Sequence, residues 1–535
     1  MLRVCRGSSL ASVVRLRSNN VEALLPSMLM SRRHGTNVAG SYYTEADISP
    51  SQKSALPEQQ FEVVIKPQST LLDLWEQATK AFSARRFIGT KMWVRGKLGY
   101  IWTTYESMGI EIDAMRTLLA KIGVVKGSRV IVISENRYEW VVVHVATLQL
   151  GGQFVCLPTN VTPEEARAVV NATQAKVLFV ETTSSFSAVK NWAGEVGALE
   201  HVYCFEDQQS ENSYAVAINL AGSVEQVAPK ATNVTSEDTA MIMFTAGTTG
   251  PPKGVMLSHK NVVANVSSIH GQLGEAITPN DMFMSLCPWT VAGSLTSELY
   301  QCLCKGAQLC IPPELTEGFQ DLPIVNPSII ISVAQPFQRA YANIVDDVTN
   351  RGGLSRDLTK FTLGRITENR TMLQKPGRLL NTASSFFLGK FKRQFGEQLR
   401  IVVVIGHPLT KDQAEILADL DVFAVNTYGC LEAGGLIATD IDVPSKLKVL
   451  PGMEVRIVND KSEIVAPGDI GEVLVEAPHA MQGYFDIHIN PEEAKNAVVA
   501  YGARSFVRTG DYGSQTGGWI QIKVVGFKSK VTRMS

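Results

Sequence analysis

Short apolar runs alternate with helical patterns in the first half of the chain. Tyr138–Leu148 has apolar positions three and four residues apart, which predicts a helix. A second helix is predicted to begin after Thr162, with Pro163 at its first position. The runs that predict strands are Arg129–Ser134, Gln153–Leu157 and Lys176–Glu181. Strand–helix–strand alternation predicts an α/β fold whose parallel sheet has helices on both faces.

Similar patterns occur before and after this region. Residues Lys91–Tyr105 predict a hairpin that turns near Gly96–Gly99, and a helix is predicted around Ile110–Ile122. Ile401–Ile405 is an apolar run of core length, and Trp519–Val525 predicts a strand near the end of the chain. The predicted elements therefore extend over most of the sequence.

The most informative run is Ala240–Phe244, a predicted buried strand that ends in a loop of glycines, hydroxyls and one lysine. Gly247 and Gly250 lack a Cβ, so the backbone can turn sharply and bring its N–H groups close to a ligand. Lys253 adds a mobile positive charge. The loop hydroxyls are those of Thr245, Thr248 and Thr249. Together these groups predict a polyphosphate site, and a plain strand-to-helix turn is the alternative. Gly254 follows the lysine, where a Walker P-loop has Ser or Thr.

Composition narrows the classes of function. The 535 residues can form a large core, and 45% apolar with 19% charged residues is typical of a globular protein. A net charge of −1 gives no general attraction to nucleic acid or anionic lipid. Eight cysteines without a Cys-x-x-Cys pair predict reduced thiols and no zinc site. No apolar run reaches the length of a membrane span.

The first forty residues differ in composition from the rest of the chain. This segment contains six arginines and a single acid, Glu22. Serines are frequent, and several apolar residues can share one helix face. This pattern predicts a mitochondrial transit peptide over residues 1–40, and a basic disordered tail is the alternative. Residues 41–60 are polar and predict a linker. The expected location is therefore mitochondrial, in the matrix or associated with the inner membrane.

The loop from Thr245 to Gly254 resembles the phosphate-binding signature of the adenylate-forming, or AMP-binding, superfamily. Tyr428-Gly-Cys-Leu-Glu432 resembles the family's Tyr-Gly-x-Thr-Glu, and Thr509-Gly-Asp511 follows in the family's order. Glu135-Asn-Arg-Tyr-Glu-Trp140 looks like the branch of long-chain fatty acyl-CoA synthetases. Members of this superfamily use ATP to convert a carboxylic acid into an acyl-adenylate, and the synthetases then transfer the acyl group to coenzyme A.

The resemblance implies a fold and a set of site residues. The fold is the large N-terminal domain of the acyl-CoA synthetase and luciferase type, with parallel sheets, flanking helices and a small β-barrel-like subdomain, here over residues 61–525. Tyr428 would flank the adenine, Glu432 would hold Mg²⁺, and Asp511 would bind the ribose hydroxyls. Glu432 and Lys253 would be the catalytic pair. The phosphates would contact Thr245, Gly247, Thr248, Thr249, Gly250 and Lys253.

The chain also departs from the family pattern. Ala246 replaces a serine of the phosphate loop, and Val291 stands where long-chain members typically have His. Leu431 replaces the Thr before Glu432, which puts an apolar group next to charge. Residues 526–535 match only the start of the hinge, with Phe527 near the position of its arginine, so the small C-terminal domain and its lysine are expected to be absent.

These observations support two main hypotheses. One is an acyl-CoA synthetase-like enzyme that uses ATP, Mg²⁺ and coenzyme A on a long-chain fatty acid, with catalysis impaired. The other is a catalytically inactive homologue that serves as a structural subunit or assembly factor of a mitochondrial complex. A nucleotide or acyl-CoA sensor is a third, weaker hypothesis. None of them involves nucleic acid or a transmembrane span.

Overall fold

The computed structural model describes most of the chain between residues 63 and 524. The gaps in this description are 95–96, 225, 245–252, 292, 317, 336–337, 340–341, 344–345, 347–388, 390–391, 411–412, 415–416, 419, 442–445 and 486–495. The predicted transit peptide (1–40), the linker (41–60) and the hinge (526–535) therefore lie outside the described residues. So do Thr245, Gly247, Thr248, Thr249 and Gly250 of the phosphate loop.

Helices and strands alternate as the apolar pattern predicts. The helices are α1 Leu71–Phe82, α2 Tyr105–Lys121, α3 Tyr138–Gln149, α4 Pro163–Thr173, α5 Thr183–Val189, α6 Tyr214–Gly222, α7 His259–Leu273, α8 Ser294–Ser297, α9 Leu299–Lys305 and α10 Gly318–Val325, with short 3₁₀ helices at Lys190–Trp192 and Gly274–Ala276. The strands in the first half are β1 Arg86–Val94, β2 Lys97–Thr104, β3 Arg129–Ile133, β4 Gln153–Leu157, β5 Val177–Val180, β6 His201–Cys204, β7 Thr239–Phe244, β8 Gly254–Ser258, β9 Met282–Leu286, β10 Gln308–Ile311 and β11 Ile329–Val333. The later strands are β12 Ile401–Ile405, β13 Phe423–Cys430, β14 Gly435–Thr439, β15 Leu447–Val449, β16 Glu454–Val458, β17 Gly471–Glu476, β18 Gly483–Phe485, β19 Val498–Tyr501, β20 Arg504–Thr516 and β21 Trp519–Val524.

One sheet has seven strands in the order β18-β8-β7-β4-β3-β5-β6. Its strands from β7 to β6 run parallel, and β8 and β18 are added antiparallel at one edge. The predicted α/β alternation is therefore confirmed here. The helix predicted after Thr162 begins with a capping box: the Thr162 hydroxyl accepts from the N–H of Glu165, whose carboxylate accepts from the N–H of Thr162.

The second sheet has fourteen strands, thirteen of them on one path in the order β16-β17-β20-β21-β15-β14-β13-β12-β11-β9-β10-β1-β2, and β19 pairs with β20 beside this path. Its centre, from β10 to β13, is parallel. Beyond β13, the antiparallel strands β14, β15, β21, β20, β17 and β16 continue the sheet as an open extension and not a closed barrel in the part described. The predicted hairpin is confirmed as β1–β2, in which Val94 pairs with Lys97.

The main core lies between the two sheets. Every residue of α3 is buried, and this helix contacts both sheets: the Trp140 ring lies 4.7 Å from Phe154 on β4 and 4.8 Å from Trp289 after β9. Burial on all sides explains why the apolar residues are not confined to one face of this helix. None of the helices in the described ranges is long and apolar enough to span a membrane.

Candidate nucleotide site

Lys253 and Glu432 are brought together by the short strand β18, which follows Glu432 by about fifty residues in sequence. Lys253 immediately precedes β8, and Glu432 lies in the turn after β13. Tyr484 on β18 pairs with Val255 on β8. Its hydroxyl donates to Glu432 Oε1 at 2.9 Å, and the Lys253 Nζ lies 5.7 Å from the centroid of its ring. A cation, an aromatic ring and a carboxylate thus form one contiguous group.

The turn that carries Glu432 is fixed by its backbone. The Gly434 N–H donates to the Leu431 carbonyl at 2.7 Å, and Gly434 has φ +75°, a conformation that favours glycine. The Met481 N–H donates to the Glu432 carbonyl at 2.9 Å. His479 Nδ1 hydrogen-bonds the Ala433 carbonyl, so Nδ1 carries the proton. The turn is therefore held against residues 479–481 before any ligand binds.

Burial raises the pKa of the Glu432 carboxyl above its ordinary value. The hydrogen bond from Tyr484 and the charge of Lys253 oppose this rise in pKa, whereas the charge of Asp511 adds to it. A desolvated carboxylate next to other charges is a common feature of binding sites, because a bound cation relieves the cost of burial.

Tyr428 and Asp511 form a second buried pair. The Tyr428 hydroxyl donates to Asp511 Oδ2 at 2.8 Å, and the two residues are 5% and 4% exposed. Burial raises the pKa of Tyr428, so its hydroxyl remains a proton donor. The Asp511 N–H donates to the Thr509 hydroxyl at 3.1 Å. This pair joins β13 to β20 of the large sheet.

The loop Gly406–Leu409 lies between β12 and β13. The Leu409 N–H donates to Asn426 Oδ1 at 2.7 Å. The Asn426 side chain in turn donates to Asp440 Oδ2 at 2.7 Å. The end of the loop is therefore anchored to β13 by a buried polar network.

Leu431 faces an apolar cavity beside this site. The cavity measures about 20 Å³, close to the space of one water molecule. Leu431 is 9% exposed and belongs to the main core. The lining residues are Met241, Met243, Leu257, Val262, Val291, Gly293, Leu295, Thr296, Leu431 and Gly434. The two departures Leu431 and Val291 therefore line the same cavity, next to Glu432.

The sequence identified four described residues that the fold places in this region: Lys253, Tyr428, Glu432 and Asp511. Lys253 and Glu432 share Tyr484, and the charge of Asp511 acts on Glu432. The roles assigned to them remain predictions. The contacts of Tyr484 and His479 are not predicted by the sequence analysis. The signal available was an aromatic residue with a hydroxyl at the end of an apolar segment.

The protein groups fit a magnesium ion that is shared with phosphates. Within the described ranges, no cluster of three or more His, Cys, Asp or Glu residues could hold a metal alone. Mg²⁺ is typically bound through one or two carboxylates together with substrate phosphates. The half-buried carboxylate of Glu432, close to Lys253, is consistent with that mode of binding.

Comparison with known proteins finds relatives by sequence and by structure. Long chain acyl-CoA synthetase 6, peroxisomal, of Arabidopsis thaliana is 24% identical over 501 residues, which cover 87% of this chain and 68% of that protein. The crystal structure of a long-chain-fatty-acid-CoA ligase (FadD1) from Archaeoglobus fulgidus has a TM-score of 0.65 at 17% identity, covering 87% of this chain and 86% of that one. ATP-bound MatB from Rhodopseudomonas palustris has a TM-score of 0.64 at 20% identity, covering 85% and 79%.

At these identities the solved structures establish the fold alone, and they confirm the predicted acyl-CoA synthetase and luciferase type of fold. The AMP-binding enzyme family matches residues 75–485, which is more than three quarters of the sequence. This match includes the phosphate loop, Tyr428, Glu432 and Tyr484. The chain therefore belongs to the AMP-binding enzyme family.

Proposed function

We propose that this protein is an acyl-CoA synthetase-like enzyme that activates a long-chain fatty acid with ATP. A carboxylate oxygen of the acid attacks the α-phosphorus, which forms acyl-AMP and releases pyrophosphate. The thiol of coenzyme A then attacks the acyl carbonyl, and AMP leaves. The observation that carries this proposal is the contiguous group of Lys253, Tyr484 and Glu432 at the end of the phosphate loop.

Each charged group has a role that follows from its position. Lys253 supplies positive charge for the phosphates, and Glu432 would hold Mg²⁺, which neutralises phosphate charge when bound. Asp511, oriented by Tyr428, would accept hydrogen bonds from the ribose hydroxyls. The names of the relatives, which are acyl-CoA synthetases, support a fatty acid as the substrate.

Exchange between ATP and radiolabelled pyrophosphate, measured on the purified chain with a panel of fatty acids, tests adenylation directly. Exchange that depends on both the acid and Mg²⁺ is the expected result. Binding of Mg·ATP without exchange for any acid would contradict a synthetase. A subsequent assay of acyl-CoA formation separates thioester synthesis from adenylation.

Within this proposal, Leu431 lowers the rate of adenylation. It places an apolar side chain beside Glu432, where the reacting carboxylate needs polar contacts. We expect Leu431→Thr to raise the exchange rate about tenfold, which corresponds to one recovered hydrogen bond. Leu257→Thr is the matched control, because Leu257 lines the same cavity on β8 and should only lose stability. Equal rates in wild type and Leu431→Thr would contradict this role.

A second candidate function is a catalytically inactive homologue in a mitochondrial complex. The departures Leu431 and Val291 and the small cavity that they line favour inactivity, and the Arg-rich, acid-poor residues 1–40 favour a mitochondrial location. Sites for ligands usually measure at least a few hundred Å³, whereas the cavity at Leu431 measures about 20 Å³. Absence of exchange in wild type, together with comigration with a large mitochondrial complex on native gels, is expected for this candidate. A soluble monomer with turnover, or a tagged chain that does not enter mitochondria, would exclude it.

A further inference from the structure

The segment Met481–Phe485 contacts the candidate site at three points. Its Met481 N–H binds the backbone of Glu432, its Tyr484 hydroxyl binds the Glu432 carboxylate, and its Tyr484 ring lies against the ammonium of Lys253. The same segment pairs with β8, which begins one residue after Lys253. The segment Met481–Phe485 therefore fixes the positions of both Lys253 and Glu432.

The anchoring of this segment makes it a rigid support. The Gln482 N–H donates to the Met256 carbonyl at 2.9 Å, and the Gln482 side chain accepts from the Thr239 hydroxyl at 2.7 Å and donates to the Glu237 carbonyl at 2.9 Å. Tyr484 itself is partly buried against the main core. Groups held on strands keep their geometry better than groups held on mobile loops, because each contact restricts the same few torsions.

We propose that Tyr484 is a positioning residue that orients Lys253 and Glu432 toward Mg²⁺ and a nucleoside polyphosphate, an inference that rests on the proposed function. The hydroxyl donates to Oε1 of Glu432 and restricts the rotation of the carboxylate, which would hold the cation. The ring supports the ammonium through a cation–π contact. Tyr484 does not touch the reacting atoms; it acts through Lys253 and Glu432.

The test measures binding and not turnover. Binding of a fluorescent N-methylanthraniloyl ATP to the full chain is followed while Mg²⁺ is titrated, and Mn²⁺ binding is followed separately by electron paramagnetic resonance. Tyr484→Phe removes only the hydroxyl, and we expect it to raise the half-saturating Mg²⁺ concentration about fivefold. Tyr484→Leu also removes the ring, and we expect it to weaken metal-free nucleotide binding about threefold as well.

Tyr138→Phe is the matched control. The Tyr138 hydroxyl donates to Glu111 Oε2 at 2.7 Å, so this change removes the same type of hydrogen bond outside the candidate site. It should lower the melting temperature without altering the Mg²⁺ titration. If Tyr484→Phe does not fold, Tyr484→His keeps a ring and a donor, and its Mg²⁺ dependence should lie between those of wild type and Tyr484→Leu.

A double-mutant cycle with Glu432→Gln tests whether Tyr484 affects Mg²⁺ binding through the Glu432 carboxylate. Once Glu432 has lost its charge, Tyr484→Phe should cause no further change in the Mg²⁺ titration. Additive effects, or a Tyr484→Phe titration identical to that of wild type, would overturn the role of Tyr484 while the proposed function stands. Wild type that binds no nucleotide at any Mg²⁺ concentration would overturn both.

Discussion

Two glutamates in this protein, the half-buried Glu432 and the fully buried Glu298, have opposite surroundings. Glu432 has a hydrogen bond from Tyr484 and the charge of Lys253 nearby, and its turn is docked on residues 479–481. Glu298, between α8 and α9, is 0% exposed, and neither carboxylate oxygen has a hydrogen-bond partner in the described part of the protein. Burial raises the pKa of both carboxyls, that of Glu298 to about 8.

The difference separates a carboxylate prepared for a ligand from an acid that belongs to the core. Ser285 and Trp289 lie close enough to Glu298 to oppose the rise of its pKa, but neither makes a hydrogen bond of normal geometry with it. Glu298 is therefore largely protonated at neutral pH. Glu432 has a donor and a cation that stabilise its ionised form, as a metal ligand requires.

The largest expected effect is on the pH dependence of stability through Glu298. A carboxyl whose pKa rises on folding binds its proton more tightly in the folded state, so the free energy of unfolding falls as pH rises from about 4.5 to about 8. Its contribution to this loss is about 4–5 kcal/mol. Urea unfolding at pH 5, 7 and 9 should show a growing advantage of Glu298→Gln over wild type. The exposed change Glu200→Gln should follow wild type, and parallel curves for Glu298→Gln and wild type would contradict the comparison.

The second effect is the loss of function in Glu432→Gln. Removal of one preorganised charged group typically lowers rate by about 10²–10³. We expect the Mg²⁺-dependent exchange of pyrophosphate to fall by that factor, with little change in urea stability. Glu298→Gln is the reciprocal control, because it should change stability and leave the Mg²⁺ dependence unaltered. Altered Mg²⁺ dependence in Glu298→Gln, or a large change in urea stability in Glu432→Gln, would contradict this assignment of roles.

The third prediction concerns the turn that carries Glu432. A Cβ added at Gly434 would collide with the carbonyl oxygen of His479, and the residue has φ +75°. Gly452 has a similar φ of +81°, but no atom lies within 4 Å of its added Cβ. Both substitutions by Ala carry the cost of a left-handed backbone, about 1–2 kcal/mol. Gly434→Ala should lose about 2 kcal/mol more than Gly452→Ala in thermal unfolding. Equal losses would mean that the turn is not docked on His479.

The smallest effect is expected from Tyr428→Phe. This change removes the hydrogen bond to Asp511 and should lower the free energy of unfolding by about 1 kcal/mol. Tyr501→Phe, which removes a hydroxyl that donates to the Ser462 carbonyl, is the control. Both variants should lose stability, but only Tyr428→Phe should weaken ATP binding, measured by calorimetry. Unchanged ATP affinity in Tyr428→Phe would separate this pair from the nucleotide site.

Local patterns in the sequence determined the elements and the candidate loop. The predicted strand Gln153–Leu157 is found with the same bounds. The strand predicted to begin at Ala240 begins one residue earlier, and the helix predicted after Thr162 begins at Pro163. These predictions succeed because periodicity and capping depend on neighbouring residues. Tyr428, Glu432 and Asp511 were identified by their order in the chain, which a resemblance to a family can supply.

Only the tertiary structure decided which of these residues act together. Tyr484 lies fifty-two residues from Glu432 in sequence, and no local pattern connects its hydroxyl to that carboxylate. Glu298 resembles any other glutamate in the sequence, yet packing leaves both of its carboxylate oxygens without a hydrogen-bond partner among the described residues. Pairing across a sheet and burial depend on long-range contacts, so the partners and the charge states of acids became visible only in the folded chain.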